Sequence, residues 1–168
     1  MRRARRSRSP LLDRSLVGLT RAADYSRLWL LIAAALALLG GRRGRRAAGQ
    51  GLISLALAAV VANGPAKLLV RRRRPRAEAA LIRMPRSTSF PSGHSASAFA
   101  FATGVSRELP ELSPVLLPLA GAVAYSRTYT GVHYPSDVAA GIAIGIGCAL
   151  VAARLDRLSR GVPRASRG

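Results

Sequence analysis

Five apolar runs are laid out along this chain, at residues 28–40, 51–70, 92–107, 114–125 and 137–153. Each is bounded by charged residues, glycine or proline. Runs of this length without period-two alternation read as helices. A bilayer core needs about 20 residues per helix. Residues 51–70 reach that length, although Asn63, Gly64 and Pro65 interrupt them and Lys67 sits near their end. Residues 28–40 are short and span only if residues 25–27 join the same helix and Arg27 snorkels. Upstream, apolar residues at 12, 16, 17 and 19 with charges at 13, 14 and 21 predict an amphipathic helix lying at an interface. The expected fold class is all-α: an integral-membrane helical bundle of about five transmembrane helices plus an N-terminal amphipathic helix. One domain is expected over residues 11–158, preceded by a basic arm at 1–10 and followed by a basic tail at 159–168.

Composition sharpens this picture. Hydrophobic residues make up 49% of the chain but aromatics only 5%, so the runs are built from Ala, Leu, Val and Ile. Small residues let helix backbones approach closely in a bilayer. Gly141-x-x-x-Gly145 is such a stripe; packing within the chain is the expectation and a homodimer the alternative. Cys148 lies alone in an apolar run and reads as a packing residue. The net charge of +20, from 27 Lys and Arg against 7 Asp and Glu, points to polyanions: nucleic acid, anionic headgroups or phosphate substrates.

The connections carry the chemistry. Residues 40–49 form an arginine-rich connection, residues 71–90 a long basic one, and residues 126–136 a short one followed by Asp137. Residues 92–107 leave the side reached by 71–90, and residues 114–125 return to it. An even number of crossings therefore puts the loops 71–90 and 126–136 on one face. Lys67, the only lysine, and both histidines, His94 and His133, fall in or beside these two loops.

Removing a phosphoryl group without a metal requires positive groups around its oxygens, an in-line nucleophile, and an acid for the leaving oxygen. Arg74 and Arg127 offer bidentate forks and Lys67 a point charge. Ser92, Gly93 and His94 follow Pro91 as a helix start, with Ser92 as N-cap, so free N–H groups would face the same anion. Asp137, four residues after His133, can accept from one ring nitrogen and leave the other bare, as a nucleophile requires. His94 is the better candidate for general acid and then base.

The set Lys67-x6-Arg74-Pro75, Pro91-Ser92-Gly93-His94 and Ser126-Arg127-x5-His133-x3-Asp137 resembles the type 2 phosphatidic acid phosphatase superfamily, which includes vanadium haloperoxidases and bacterial acid phosphatases. All three blocks match at their signature positions. The resemblance implies an all-helical fold and a phosphohistidine on His133. It implies Asp137 as partner to His133, and His94 as acid and base. It implies Lys67, Arg74, Ser92, Gly93 and Arg127 as the phosphate pocket. No cofactor and no divalent metal are implied, and Glu78, Glu108 and Glu111 are too scattered to hold one. The apolar runs point to the membrane lipid-phosphatase branch. In size the chain is similar to small bacterial members acting on polyprenyl or glycerolipid phosphates, including an actinobacterial type acting on decaprenylphosphoryl phosphoribose.

The expected activity is hydrolysis of a lipid phosphate monoester or diphosphate at a bacterial cell membrane, in contact with membrane lipids and without a nucleic-acid partner. The alternative from another class is a basic membrane protein that binds anionic lipid or nucleic acid without turnover.

Overall fold

The computed structural model describes residues 9–75, 80–85 and 87–161. Most of the basic arm, most of the basic tail, and Glu78 lie outside them. The described residues are helical, with α1 at Pro10–Ala22, α2 at Arg27–Leu39, α3 at Gly41–Asn63 and α4 at Pro65–Leu69. Then come α5 at Gly93–Glu108, α6 at Ser113–Tyr129 and α7 at Pro135–Gly161.

Local chemistry explains the boundaries. Pro10 opens α1, with Asp13 in its first turn and Arg21 in its last, each at the favourable end of the helix dipole. Ser92 caps α5. One expectation is corrected here: residues 40–49 are not a connection. The turn needs only Gly40 and Gly41, the latter at φ 59°. Arg42, Arg43, Arg45 and Arg46 then form the first turns of α3, as good helix formers do. Gly44 permits the tight hairpin, since a Cβ there would lie 2.2 Å from the Leu36 carbonyl oxygen.

The core is α5, packed between α3 and α7. Ala96, Ala98, Ala100, Phe101, Ala102 and Val105 are fully buried along it. Trp29 of α2 meets Phe101 with ring centroids 5.4 Å apart. The Gly141/Gly145 stripe is filled from within the chain. A Cβ on Gly141 would lie 2.4 Å from the Ser92 carbonyl oxygen, and one on Gly145 equally close to that of Ala96. Backbone cannot give way cheaply, so Gly145→Leu is expected to destabilise the fold by about 1–3 kcal/mol or more. Gly147→Ala meets nothing within 4 Å and should be neutral or slightly stabilising. Thermal unfolding of both variants in detergent checks the contrast.

Two helical stretches are long and apolar enough to cross a membrane, residues 41–69 and 135–159. Together α1 and α2, bent by 63°, bring the number to as many as three. The remaining apolar runs form α5 and α6, helices of 16 and 17 residues. Large apolar side chains face outward, Leu31, Leu38, Leu39, Val60 and Leu69 among them. So much exposed apolar surface suits lipid contact.

Candidate active site

One end of the bundle gathers the polar side chains. The chain between α4 and α5 crosses this end and is tied down by backbone bonds. Ser89 N–H donates to the Arg72 carbonyl at 2.8 Å, Leu81 N–H to Thr130 at 3.0 Å, and Ser92 N–H to Asp137 at 2.9 Å. The two loops therefore share a face, as the crossing parity requires.

His133 sits between α6 and α7, only 4% exposed. Its Nε2 lies 3.1 Å from a terminal nitrogen of Arg74. A guanidinium only donates, so Nε2 accepts and the ring proton is on Nδ1. Burial, then Arg74 and Arg127, lower its pKa to about 3 against the opposing pull of Asp137. The imidazole is thus neutral, with its Nε2 lone pair turned toward the arginines.

Asp137 is fully buried in the first turn of α7. The sequence predicts that its carboxylate accepts from His133. The structure places His133 Nδ1 3.7 Å from Oδ2, an ion-pair distance rather than a hydrogen bond. The reason is competition. Oδ2 already accepts from the Ser89 hydroxyl and from Tyr134 N–H, the latter at 3.0 Å. Oδ1 accepts from Arg72 at 3.1 Å. Among the described residues His133 Nδ1 has no partner in good hydrogen-bond geometry, although the Ser89 backbone lies near enough to raise its pKa.

Arg74 is the hub. Nε donates to the Ser87 carbonyl at 2.8 Å; the two terminal nitrogens reach the Val132 carbonyl at 2.9 Å, Ser87 Oγ at 3.1 Å and the Thr88 carbonyl at 3.2 Å. Lys67 Nζ donates to Asn63 Oδ1 at 2.9 Å and Ser87 Oγ at 3.3 Å. Gly93 packs on that same Asn63, where a Cβ would lie 3.0 Å from Oδ1. Ser92 is buried, and its Oγ accepts from Ser95 N–H at 3.4 Å and lies 2.9 Å from Ser95 Oγ. Its place in the site is therefore to start α5.

Arg127 is 2% exposed, donates to the Thr20 hydroxyl, and its Nε has no partner among the described residues. A buried guanidinium with an unused donor is costly unless an anion answers it. His94 Nε2 lies 2.8 Å from Asp24 Oδ1. Burial and then Arg127 lower the His94 pKa to about 4, against Asp24, which raises it. A cavity of about 580 Å³ opens beside His94 and Arg127, walled by Arg21, Asp24, Ile82 and Met84 among others.

Six residues here escape a reading by sequence spacing: Thr20, Asp24, Asn63, Arg72, Ser87 and Ser89. Asp24 carried one available signal, as one of four aspartates in a strongly basic chain. Arg72 is two residues from Arg74 in a non-helical run, the spacing that puts both on one side of an extended strand of chain.

The family model of the PAP2 superfamily matches residues 48–160. The chain belongs to the PAP2 superfamily. Over 155 residues it is 39% identical to the decaprenylphosphoryl-5-phosphoribose phosphatase of Mycobacterium tuberculosis, covering 88% of this chain and 81% of that one. Among solved PAP2-like structures, Aquifex aeolicus LpxE aligns with a TM-score of 0.73 at 27% identity, over 88% of both chains. The transmembrane PAP2 type phosphatidylglycerolphosphate phosphatase of Bacillus subtilis aligns with a TM-score of 0.69 at 25% identity, over 95% of this chain and 82% of that one. The PAP2 fold thus comes with relatives that are phosphatases of lipid phosphates.

Proposed function

We propose that this PAP2 protein is a multi-pass phosphatase of the bacterial plasma membrane that hydrolyses a lipid phosphate monoester or diphosphate through a phosphohistidine on His133. The named phosphoribose phosphatase relative favours the terminal phosphate of a polyprenyl-phosphoryl sugar as the group removed. One observation carries the reading: a neutral, buried His133 holds its Nε2 3.1 Å from Arg74, with Arg127 near enough to lower its pKa as well.

The steps follow from the side chains. An incoming phosphate takes up the free donor of Arg127 and draws Arg74 off His133 Nε2, baring the lone pair. Lys67 and the N-terminus of α5 at Gly93 add positive potential. The anion's charge offsets the arginines that hold the His94 pKa down, so His94 gains a proton. Nε2 of His133 then attacks phosphorus as the P–O bond breaks, and His94 gives its proton to the departing oxygen. Asp137, a few tenths of an ångström beyond hydrogen-bond reach, stabilises the positive ring. In the second half His94 takes a proton from water, whose oxygen attacks phosphorus. The P–N bond electrons return to His133 and phosphate leaves.

The positive charge comes from arginine and lysine, the work a divalent ion does in other phosphoryl-transfer sites. Phosphate release from a detergent-dispersed polyprenyl-phosphoryl sugar phosphate should therefore persist in excess chelator. Vanadate, which takes up five-coordinate geometry, should inhibit it competitively. Activity lost in chelator and restored by a divalent cation would overturn the mechanism. Salt-sensitive polyanion binding with no phosphate released from any lipid would instead favour a non-catalytic binding protein.

A further inference from the structure

The N-terminal segment enters the site from outside the region matched by the family model, which begins at residue 48. Helix α1 and the turn after it touch the site elements at three places. Asp13 accepts from the Tyr129 hydroxyl at 2.7 Å, Thr20 from Arg127, and Asp24 lies 2.8 Å from His94 Nε2. The first two hold α1 against α6. The third reaches a residue the proposed mechanism uses for proton transfer.

The backbone at Asp24 is held in an unusual shape. Tyr25 and Ser26 follow it with φ of 54° and 60°. Left-handed non-glycine residues cost on the order of 1–2 kcal/mol each and persist where surrounding contacts hold them. Here they turn the chain by 63° between α1 and α2 and leave the Asp24 carboxylate facing His94.

We propose that Asp24 is a positioning residue for His94, forming a second aspartate–histidine pair opposite His133 and Asp137. A carboxylate only accepts, so it fixes the proton on His94 Nε2. Proton exchange with the substrate then runs through Nδ1. Asp24 also stabilises the doubly protonated ring that must form before the leaving oxygen is protonated. The groups around His94 make this necessary: Arg127 of α6 and Arg74 of the preceding loop both oppose its positive charge, and Arg21 and Arg83 line the same cavity. Among the described residues Asp24 is the carboxylate set against them. The inference rests on the phosphatase reading and on His94 as general acid.

The test uses leaving-group chemistry with the full chain in detergent. A long-chain alkyl phosphate expels an alkoxide and needs the proton; p-nitrophenyl phosphate expels a stable phenolate and does not. For Asp24→Asn, kcat/KM should fall about tenfold to a hundredfold on the alkyl ester, a part of what general acid catalysis supplies. On the aryl ester it should change by less than about threefold. Asp13→Asn, which loosens α1 without touching His94, should affect both substrates alike. An equal loss on both esters for Asp24→Asn, or no loss on either, would overturn the assignment. A wild-type protein that releases phosphate neither from these esters nor from a polyprenyl-phosphoryl sugar phosphate would instead sink the phosphatase reading itself.

Discussion

His133→Ala is expected to lower phosphate release by roughly 10⁴-fold or more, because removal of a nucleophile leaves only binding and electrostatics. Among the described residues the side chain lies at hydrogen-bond distance from Arg74, which has other partners, so its loss should leave the fold standing. A brief reaction with lipid labelled at the scissile phosphate, quenched in base to preserve phosphohistidine, reads the step directly. Wild-type protein should carry label and the variant none. A variant keeping more than about a hundredth of wild-type activity would place the nucleophile elsewhere. Its size in detergent and its thermal unfolding should match wild type, which separates a chemical loss from a structural one.

That expectation could be formed from the sequence because the site is built from scarce residue types at fixed spacing. Lys67, His94 and His133 exhaust the lysine and histidine of the chain. Helix parity alone brings their loops to one face, and boundary errors do not disturb it. The arginine-rich start of α3 shows where spacing misleads. Four arginines between glycines look like a loop, yet two glycines make the turn and the arginines continue the helix. Helix lengths were hidden for a related reason: apolar content is readable, but capping by Ser92 and the short turns around α6 set the lengths.

Within the site, what stayed hidden is what acts through space. Asp24 meets His94 across 70 positions, and Ser89 meets Asp137 across 48. No local pattern announces either. The pairing of His133 with Asp137 was visible as a helical i, i+4 spacing, but its distance was not. That distance depends on how many other donors crowd the carboxylate, and Ser89, Tyr134 and Arg72 had no reason in sequence to be counted. The structure therefore holds His133 apart from Asp137 and close to Arg74.

Arg74→Ala carries the second large effect, and it should do three things at once. It removes a guanidinium proposed to bind the phosphate, so kcat/KM should fall about 10³-fold, roughly 4 kcal/mol of transition-state stabilisation. It leaves the carbonyls of Ser87, Thr88 and Val132 without the donor that gathers them, so the loop before α5 should loosen and unfolding should come at lower temperature. It also shifts titration. Arg74 lowers the His133 pKa, second only to burial. Its removal therefore raises that pKa, and His133 is nucleophilic only when neutral. The acid limb of the residual kcat/KM profile should move to higher pH, measured between about pH 3 and 7. Arg74→Lys restores charge but not the planar fork, and should recover less than about tenfold. An acid limb that stays in place in Arg74→Ala would show that the guanidinium does not set the state of His133, and the geometry at Nε2 would need another account.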